Sequence, residues 1–309
     1  MINMNNYPTI TLNNGVEMPQ IGFGTYLIPE DKIVDTIGKA YELGYRNFDT
    51  AGRYRNEHFI VQAMQKYGIK REDVFLTTKI HTDQLYLNRW HGGTLRFFNI
   101  PIRTIRRTIE QEFKKLNTDY IDLFLIHFPL PGYLKMWEIL TEYYKKGRIR
   151  AIGVCSFLPP MFDSLKSVSD VVPVVNQFEL SPMNSQKQLV KYCQERNIQV
   201  EAMGTLSHWR SNEPRMEILT NPVLSKLAEQ HGKTVAQIIW RWFIQRNIII
   251  IPKTWDDVHI KENIDILDFE LSDEDMKTID TLDGGRFLTY NPYGSIKFVP
   301  KEFQGWKGF

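Results

Sequence analysis

Eight short runs of apolar, largely β-branched residues recur along this chain, at 21–24, 45–48, 74–78, 121–126, 149–154, 174–176, 198–202 and 248–251. Helical patterns stand between them, near 31–43 and at 56–66, 101–117, 133–145, 159–167, 185–195 and 234–245. Short strands without polar alternation are buried on both faces, as parallel strands are. Strands that alternate with helices build a parallel sheet, and eight of them favour closure. The expected fold class is therefore α/β, a (β/α)8 TIM barrel. The alternative is an open doubly wound sheet. Its G-x-G-x-x-G turn is missing, because Gly22 and Gly24 are followed by Thr25 and Tyr26.

The segment at 101–117 carries the plainest helical period. Ile102, Ile105, Ile109, Phe113 and Leu116 share one stripe, with Arg106, Arg107, Lys114 and Lys115 toward the other side. Ahead of the first barrel strand, TITLNNGVEMPQ reads as a hairpin turning at Asn13, Asn14 and Gly15, placed to cap the barrel bottom. Residues 81–100 and 203–222 exceed a minimal barrel and read as long top-face loops. Their aromatic side chains, Trp90, Phe97 and Phe98 among them, either line a pocket or pack within the loop. From Gly284 onward periodicity fades. Phe287, Tyr290, Tyr293, Phe298, Phe303 and Trp306 suggest a C-terminal tail folded across a barrel opening.

Composition narrows the function classes. The 309 residues suffice for one large barrel or two smaller domains. A net charge of +2, from 38 basic and 36 acidic residues, gives no electrostatic footprint for nucleic acid or a membrane surface. The basic cluster of Lys145, Lys146, Arg148 and Arg150 reads as a solvated face. Cys155 and Cys193 are the only cysteines, which suits a reducing compartment, and a cytoplasmic location is expected. MINMNNYPTI lacks the basic and apolar regions of a signal peptide, and no apolar run is long enough for a bilayer. The seven histidines and two cysteines show no metal-ligand spacing, so no metal is expected.

Asp49, Tyr54, Lys79 and His127 lie at or just beyond strand C-termini, the face where barrel chemistry gathers. Together these residue types can build a proton-donating site. A phenol with its usual pKa of about 10 is a weak acid at neutral pH. A nearby ammonium lowers that pKa, a charge Lys79 can supply while Asp49 holds the lysine by an ion pair. His127 can donate a hydrogen bond to a carbonyl oxygen or relay the proton. Singly, each has an ordinary explanation: a turn-capping aspartate, a packed phenol, a structural lysine, a hydrogen-bonded histidine. Their joint position at strand ends carries the functional reading.

In these contexts the residues resemble the aldo-keto reductase family over almost the whole chain. FDTAGRYRNE at 48–57 is similar to the segment carrying the family's catalytic aspartate and tyrosine. TTKI at 77–80 matches the lysine, and YIDLFLIHFP at 120–129 the histidine. GFGTY at 22–26, VVNQFELSP at 174–182 and IPKTWDDVHIKEN at 251–263 extend the match. The resemblance implies a single barrel domain over 1–309, a monomer, and an extended nicotinamide dinucleotide bound without a Rossmann domain. It implies Gly24, Thr25 and Asp49 near the nicotinamide ribose, and Gln177 at the carboxamide. Lys253 and Thr254 would approach the adenosine 2'-phosphate, with Glu262 and Asn263 at the adenine end. A lysine beside that phosphate leans toward NADPH, with NADH as the second cofactor.

Several positions depart from the family pattern. Cys155 and Ser156 stand where serine and asparagine are usual, and Met203 where an aromatic platform normally underlies the nicotinamide. Gly204 removes the next serine hydroxyl. His259 replaces an arginine at the phosphate end, which weakens the NADPH preference without abolishing it. His81 replaces a tryptophan two residues beyond the lysine. Cys155 has no evident base beside it and reads as buried packing. The implied activity is reduction of a small-molecule aldehyde or ketone to an alcohol, with Tyr54 as acid. Two alternatives are a specialised biosynthetic reductase of a conjugated C=C or C=N bond, and a nucleotide-sensing scaffold on a reductase barrel.

Overall fold

β-branched residues in short uninterrupted runs produce strands buried on both sides, and the structure closes eight of them into a ring. A computed structural model describes residues 7–81, 85, 102–206 and 213–288. Two strands, β1 (Thr9–Thr11) and β2 (Glu17–Pro19), form the expected antiparallel hairpin. Its turn uses Gly15 at φ +83°, a conformation that favours glycine. Asn13 Nδ2 donates to the carbonyls of Pro173 and Asn197 at 3.1 and 3.0 Å, and Asn14 Nδ2 to that of Arg150 at 2.9 Å. Those carbonyls lie where barrel strands begin, so the hairpin caps the N-terminal end.

The barrel strands are β3 (Gly22–Gly24), β4 (Asn47–Asp49), β5 (Phe75–Ile80), β6 (Ile121–Ile126), β7 (Ile149–Cys155), β8 (Val175–Glu179), β9 (Gln199–Met203) and β10 (Ile249–Ile250). Each pairs in parallel with the next in sequence. A parallel bridge between Ile21 and Ile250 joins the ends. Closure is fixed by Ile250 N donating to Gln20 O and Gly24 N to Pro252 O, both at 3.0 Å.

Strand side chains alternate between two cores. Phe75, Leu123, Leu125, Ala151, Cys155, Val175 and Ile249 fill the barrel interior with Leu12 and Met18 of the hairpin. Their neighbours Leu76, Phe124, Ile126, Ile152 and Val154 pack outward into the helical layer. The interior is tight at Gly153, where an added Cβ would meet Val175 O at 2.6 Å and Leu125 Cδ2 at 2.7 Å.

Around the barrel run α1 (Glu30–Glu42), α2 (Glu57–Tyr67), α3 (Ile102–Lys115), α4 (Tyr133–Lys145), α5 (Pro159–Leu165), α6 (Lys187–Gln194), α7 (Glu213–Leu219), α8 (Pro222–His231), α9 (Val235–Gln245), α10 (Asp257–Ile264) and α11 (Asp273–Asp280). Among the described residues no helix is long and apolar enough to cross a membrane. The stretch 203–222 is not wholly loop, because α7 forms within it. The helices α8, α10 and α11 lie outside the helical patterns read from sequence. The basic residues Lys145, Arg148 and Arg150 bond Asp170, Glu110 and Asp122 at 2.8, 2.6 and 2.6 Å, which accounts for them as paired surface charges. Of the long loop, only His81 and Leu85 are described, so Trp90, Phe97 and Phe98 fall outside the described residues. The tail aromatics Tyr290, Tyr293, Phe298, Phe303 and Trp306 do as well.

The α3 stripe needs two corrections. Ile102 is 44% exposed at the helix start and so does not join the buried stripe. Lys115 does not simply face solvent; its ammonium turns to Glu112 at 2.9 Å and Glu57 at 3.1 Å, both buried. Burial, reinforced by Glu57, pushes Glu112 from 4.5 up to about 8, against the opposing charge of Lys115. A carboxyl whose folded pKa is raised stabilises the fold fully below its unfolded value and loses that contribution as pH rises through the folded one. Glu112→Gln should therefore flatten the fall in melting temperature between about pH 4.5 and 8, and melt above wild type at pH 8.5. Parallel melting curves across that range would contradict this assignment.

Candidate active site

The parallel strands deliver their C-terminal residues to one rim. Asp49 ends β4, Lys79 is the next-to-last residue of β5, and His127 follows β6. Tyr54 sits in the turn after β4, where its N–H donates to Ala51 O at 2.8 Å. Lys79 is wholly buried, and its ammonium donates to Asp49 Oδ1 and Oδ2 at 2.5 and 2.6 Å and to Thr50 O at 2.9 Å. That ammonium lies 5.4 Å from the centre of the Tyr54 ring. The His127 ring meets Tyr54 edge-on, centroids 5.6 Å apart. All four residues nominated from the sequence thus converge.

Electrostatics set their protonation. Burial disfavours the Lys79 charge, but the Asp49 carboxylate, aided by Tyr54 and Cys155, holds the ammonium above the ordinary lysine range. Burial pushes His127 well below the usual histidine value, with the Lys79 charge adding to it, so the imidazole is neutral at pH 7. Its Nδ1 is buried and has no hydrogen-bond partner among the described residues. Tyr54 corrects the sequence argument. Lys79 does lower its pKa, but burial is the larger effect and the net shift is upward. Tyr54 therefore carries its proton throughout the neutral range.

Two polar residues missed by the sequence reading brace this centre. Asn56 Nδ2 donates to Thr25 O at 2.9 Å, and its Oδ1 accepts from Thr50 Oγ1 at 2.7 Å. Thr25 in turn donates from N and Oγ1 to Asp49 O at 3.0 and 2.9 Å. The β3 and β4 ends are thus tied together. Across the barrel, Gln177 Nε2 donates to Asp49 Oδ2 at 3.0 Å and to Glu201 Oε2 at 2.7 Å. Glu201 is fully buried on β9; burial, then the Asp49 charge, push it up to about 8. No motif marks Glu201, but its register opposite Gln177 follows from strand alternation.

Cys155 ends β7 and Ser156 follows it, both buried. Burial raises the Cys155 thiol, which donates weakly to Gln177 Oε1 at 3.8 Å, so it is packing rather than a nucleophile. Ser156 takes φ +57°, a left-handed conformation that asparagine tolerates better. Met203 ends β9 half-buried. Gly24 lies against the chain after β10, where a Cβ would come within 3.0 Å of Ile251 O and 3.4 Å of Lys253 Cβ.

Lys253, Thr254, His259, Glu262 and Asn263 follow β10 or lie on α10. The Lys253 ammonium stands 4.8 Å from the Trp255 ring centre, and burial, then the nearby Arg215 charge, bring it down to about 8. Arg215, on α7, was not nominated from sequence; its Nε is buried without a hydrogen-bond partner among the described residues. Thr254 Oγ1 accepts from Asp256 N at 3.1 Å. His259 is exposed, with Nδ1 3.7 Å from Asp256 Oδ1. Glu262 is half-buried. Asn263 commits its Oδ1 to Trp240 Nε1 at 2.7 Å, so that oxygen serves the fold.

A hollow of about 360 Å³, lined by Asn13, Asn14, Val172, Arg196 and Asn197 among others, lies at the hairpin end and is unrelated to this rim.

Comparison with known proteins places this arrangement. Residues 20–283 match the model of the aldo/keto reductase family. An uncharacterised oxidoreductase of Bacillus subtilis, YtbE, is 39% identical over 278 residues, covering 88% of this chain and 91% of its own. The glyoxal reductase of the same organism is 37% identical over 287 residues, covering 92% and 96%. A Bombyx mori aldo-keto reductase solved in complex with NADP superposes with a TM-score of 0.78 at 31% identity, covering 92% and 95%.

Removing one partner of a buried ion pair leaves an uncompensated charge, at a cost of about 3–5 kcal/mol. Asp49→Asn should destabilise the protein by about that much in urea unfolding, since Lys79 has no access to water. A midpoint unchanged from wild type would show that the pair is not what holds Lys79.

Proposed function

Because the chain belongs to the aldo/keto reductase family, and is thereby an oxidoreductase acting on carbonyl or alcohol groups, we propose that it reduces an aldehyde or ketone with Tyr54 as the proton donor. One observation carries this reading: a phenol that keeps its proton stands between a buried ammonium–carboxylate pair and a neutral imidazole. A carbonyl oxygen lodged between Tyr54 and His127 would accept hydrogen bonds from both. As the carbonyl carbon gains hydride, its oxygen becomes an alkoxide, a stronger base than phenolate, and takes the Tyr54 proton. Lys79 stabilises the phenolate left behind. Asp49 keeps that ammonium charged and positioned.

The residues present fit a nicotinamide dinucleotide phosphate. Gly24 leaves an approach that a side chain would narrow, and His127 Nδ1 is an unspent polar atom at the rim. Lys253 and Arg215 bring two cations together, and among the described residues no carboxylate bonds either, which suits a phosphate. The nicotinamide, when bound, supplies the hydride. Gly24, Thr25, Asp49, Cys155, Ser156, Gln177 and Met203 would hold its ring and ribose. Lys253, Thr254, His259, Glu262 and Asn263 would hold the adenosine end, with Arg215 supplying a guanidinium where position 259 has an imidazole. NADPH is thus preferred and NADH is the weaker cofactor. The relative named glyoxal reductase supports small aldehydes as first substrates to assay.

Tyr54→Phe should bind NADPH within about twofold of wild type, read by quenching of tryptophan fluorescence. Its kcat for aldehyde reduction should fall by about 10²–10⁴. Wild-type turnover in that variant would remove Tyr54 from the acid role.

A further inference from the structure

One buried carboxyl near the rim has no part in the reaction above. Glu201 lies inside β9, fully buried, in register between Gln177 of β8 and Ile249 of β10. Its Oε2 accepts from Gln177 Nε2 at 2.7 Å. The same amide nitrogen donates to Asp49 Oδ2 at 3.0 Å. Gln177 Oε1 accepts weakly from the Cys155 thiol at 3.8 Å. Two carboxyl groups therefore turn the Gln177 amide one way, its nitrogen toward Asp49 and Glu201 and its oxygen toward Cys155. Glu201 Oε1 is buried and has no partner among the described residues.

An ionised carboxylate with a bare buried oxygen is costly, and a proton removes that cost. Asp49 from β4, Lys79 from β5 and Cys155 from β7 are the ionisable groups that act on Glu201 or feel its charge. Asp49 and Lys79 form one ion pair. Cys155 keeps its proton, because burial raises its thiol. The β10 neighbour, Ile249, carries no charge. Burial, then the Asp49 charge, push the Glu201 carboxyl up to about 8. Loss of the Glu201 proton thus takes this cluster from net neutral to net negative.

We propose that Glu201 distinguishes the two redox forms of the nicotinamide cofactor, staying protonated beside the reduced ring and releasing its proton to water when the oxidised ring binds. This role rests on the cofactor reading above, in which Gln177 lies at the nicotinamide. The oxidised ring carries a positive charge that the reduced ring lacks. A negative charge one hydrogen bond behind Gln177 stabilises the first and not the second. The only bond that breaks is the O–H of Glu201, and its proton passes to solvent. Glu201 is a positioning residue, acting through Gln177 and through its charge. At low pH the site favours NADPH, the form that reduces; at high pH it holds NADP+ more firmly.

The test reads binding, by calorimetric titration of the full chain with NADPH and with NADP+ from about pH 6.5 to 9.5. A positive ring lowers the Glu201 pKa, so NADP+ should bind more tightly as pH rises. The wild-type preference for NADPH should therefore fall by about tenfold or more across that range. Lys253 titrates in the same window, but it faces a phosphate common to both forms and cancels in the ratio. Titrations in buffers of different ionisation heat should show more protons released with NADP+ than with NADPH. Glu201→Gln keeps an acceptor for Gln177 and holds the cluster neutral, so its ratio should not change with pH. A flat ratio in wild type, or one that still falls in Glu201→Gln, would overturn the proposal. Should that variant not fold, equal proton release by wild type with the two forms would overturn it alone. Binding of neither form would overturn the cofactor reading, and this proposal with it.

Discussion

The ion pair between Lys79 and Asp49 is the constraint around which this barrel rim is arranged. A wholly buried ammonium persists only with a partner and with its remaining donors satisfied, and here two carboxylate oxygens and the Thr50 carbonyl meet that need. The requirement propagates. Asp49 must sit beside Lys79, so β4 and β5 must hold their register. Thr25 and Asn56 tie the β3 end to the β4 end. Gln177 reaches across the barrel to the same carboxylate and carries Glu201 with it. Strand pairing and site electrostatics are one construction. Stability alone does not call for such a pair, since a hydrophobic replacement of similar volume would often be no less stable.

Burial is the largest influence on four groups of the site and sets the direction in which each one moves. It raises Tyr54 and Cys155, lowers His127, and raises Glu201. At neutral pH the rim presents a protonated phenol, a neutral imidazole and a thiol, with the Lys79 ammonium held charged by Asp49. Proton donation to an oxyanion is the chemistry such a set performs best. The altered positions do not disturb it: Cys155, Ser156 and Met203 lie toward the expected nicotinamide, and His259 toward the expected phosphate.

Much of the architecture was legible in the sequence because its signals are local. Uninterrupted β-branched runs mark strands such as Ile121–Ile126, and the tetrad lies at or just past strand ends. The missed helices carried local signals as well. Asn221 followed by Pro222 begins α8, and Ser272 with Asp275 caps α11. Neither helix fits the one-strand, one-helix rhythm on which the sequence reading relied. What was not legible depends on spatial register. Glu201 has meaning only opposite Gln177, Arg215 only beside Lys253, and Lys115 only where α3 meets the buried Glu57. The direction of the Tyr54 shift was missed for the same reason, because a sequence shows neighbouring charges but not the depth at which they lie.

The central claim is direct transfer of hydride to a carbonyl carbon whose oxygen is protonated at this rim. Single-turnover reduction of an aldehyde with NADPH carrying deuterium on the transferred position of the ring tests it most directly. The account predicts one deuterium on the carbinol carbon of the alcohol for each NADPH oxidised. Deuterium on a neighbouring carbon, or NADPH bound without any label reaching product, would contradict it.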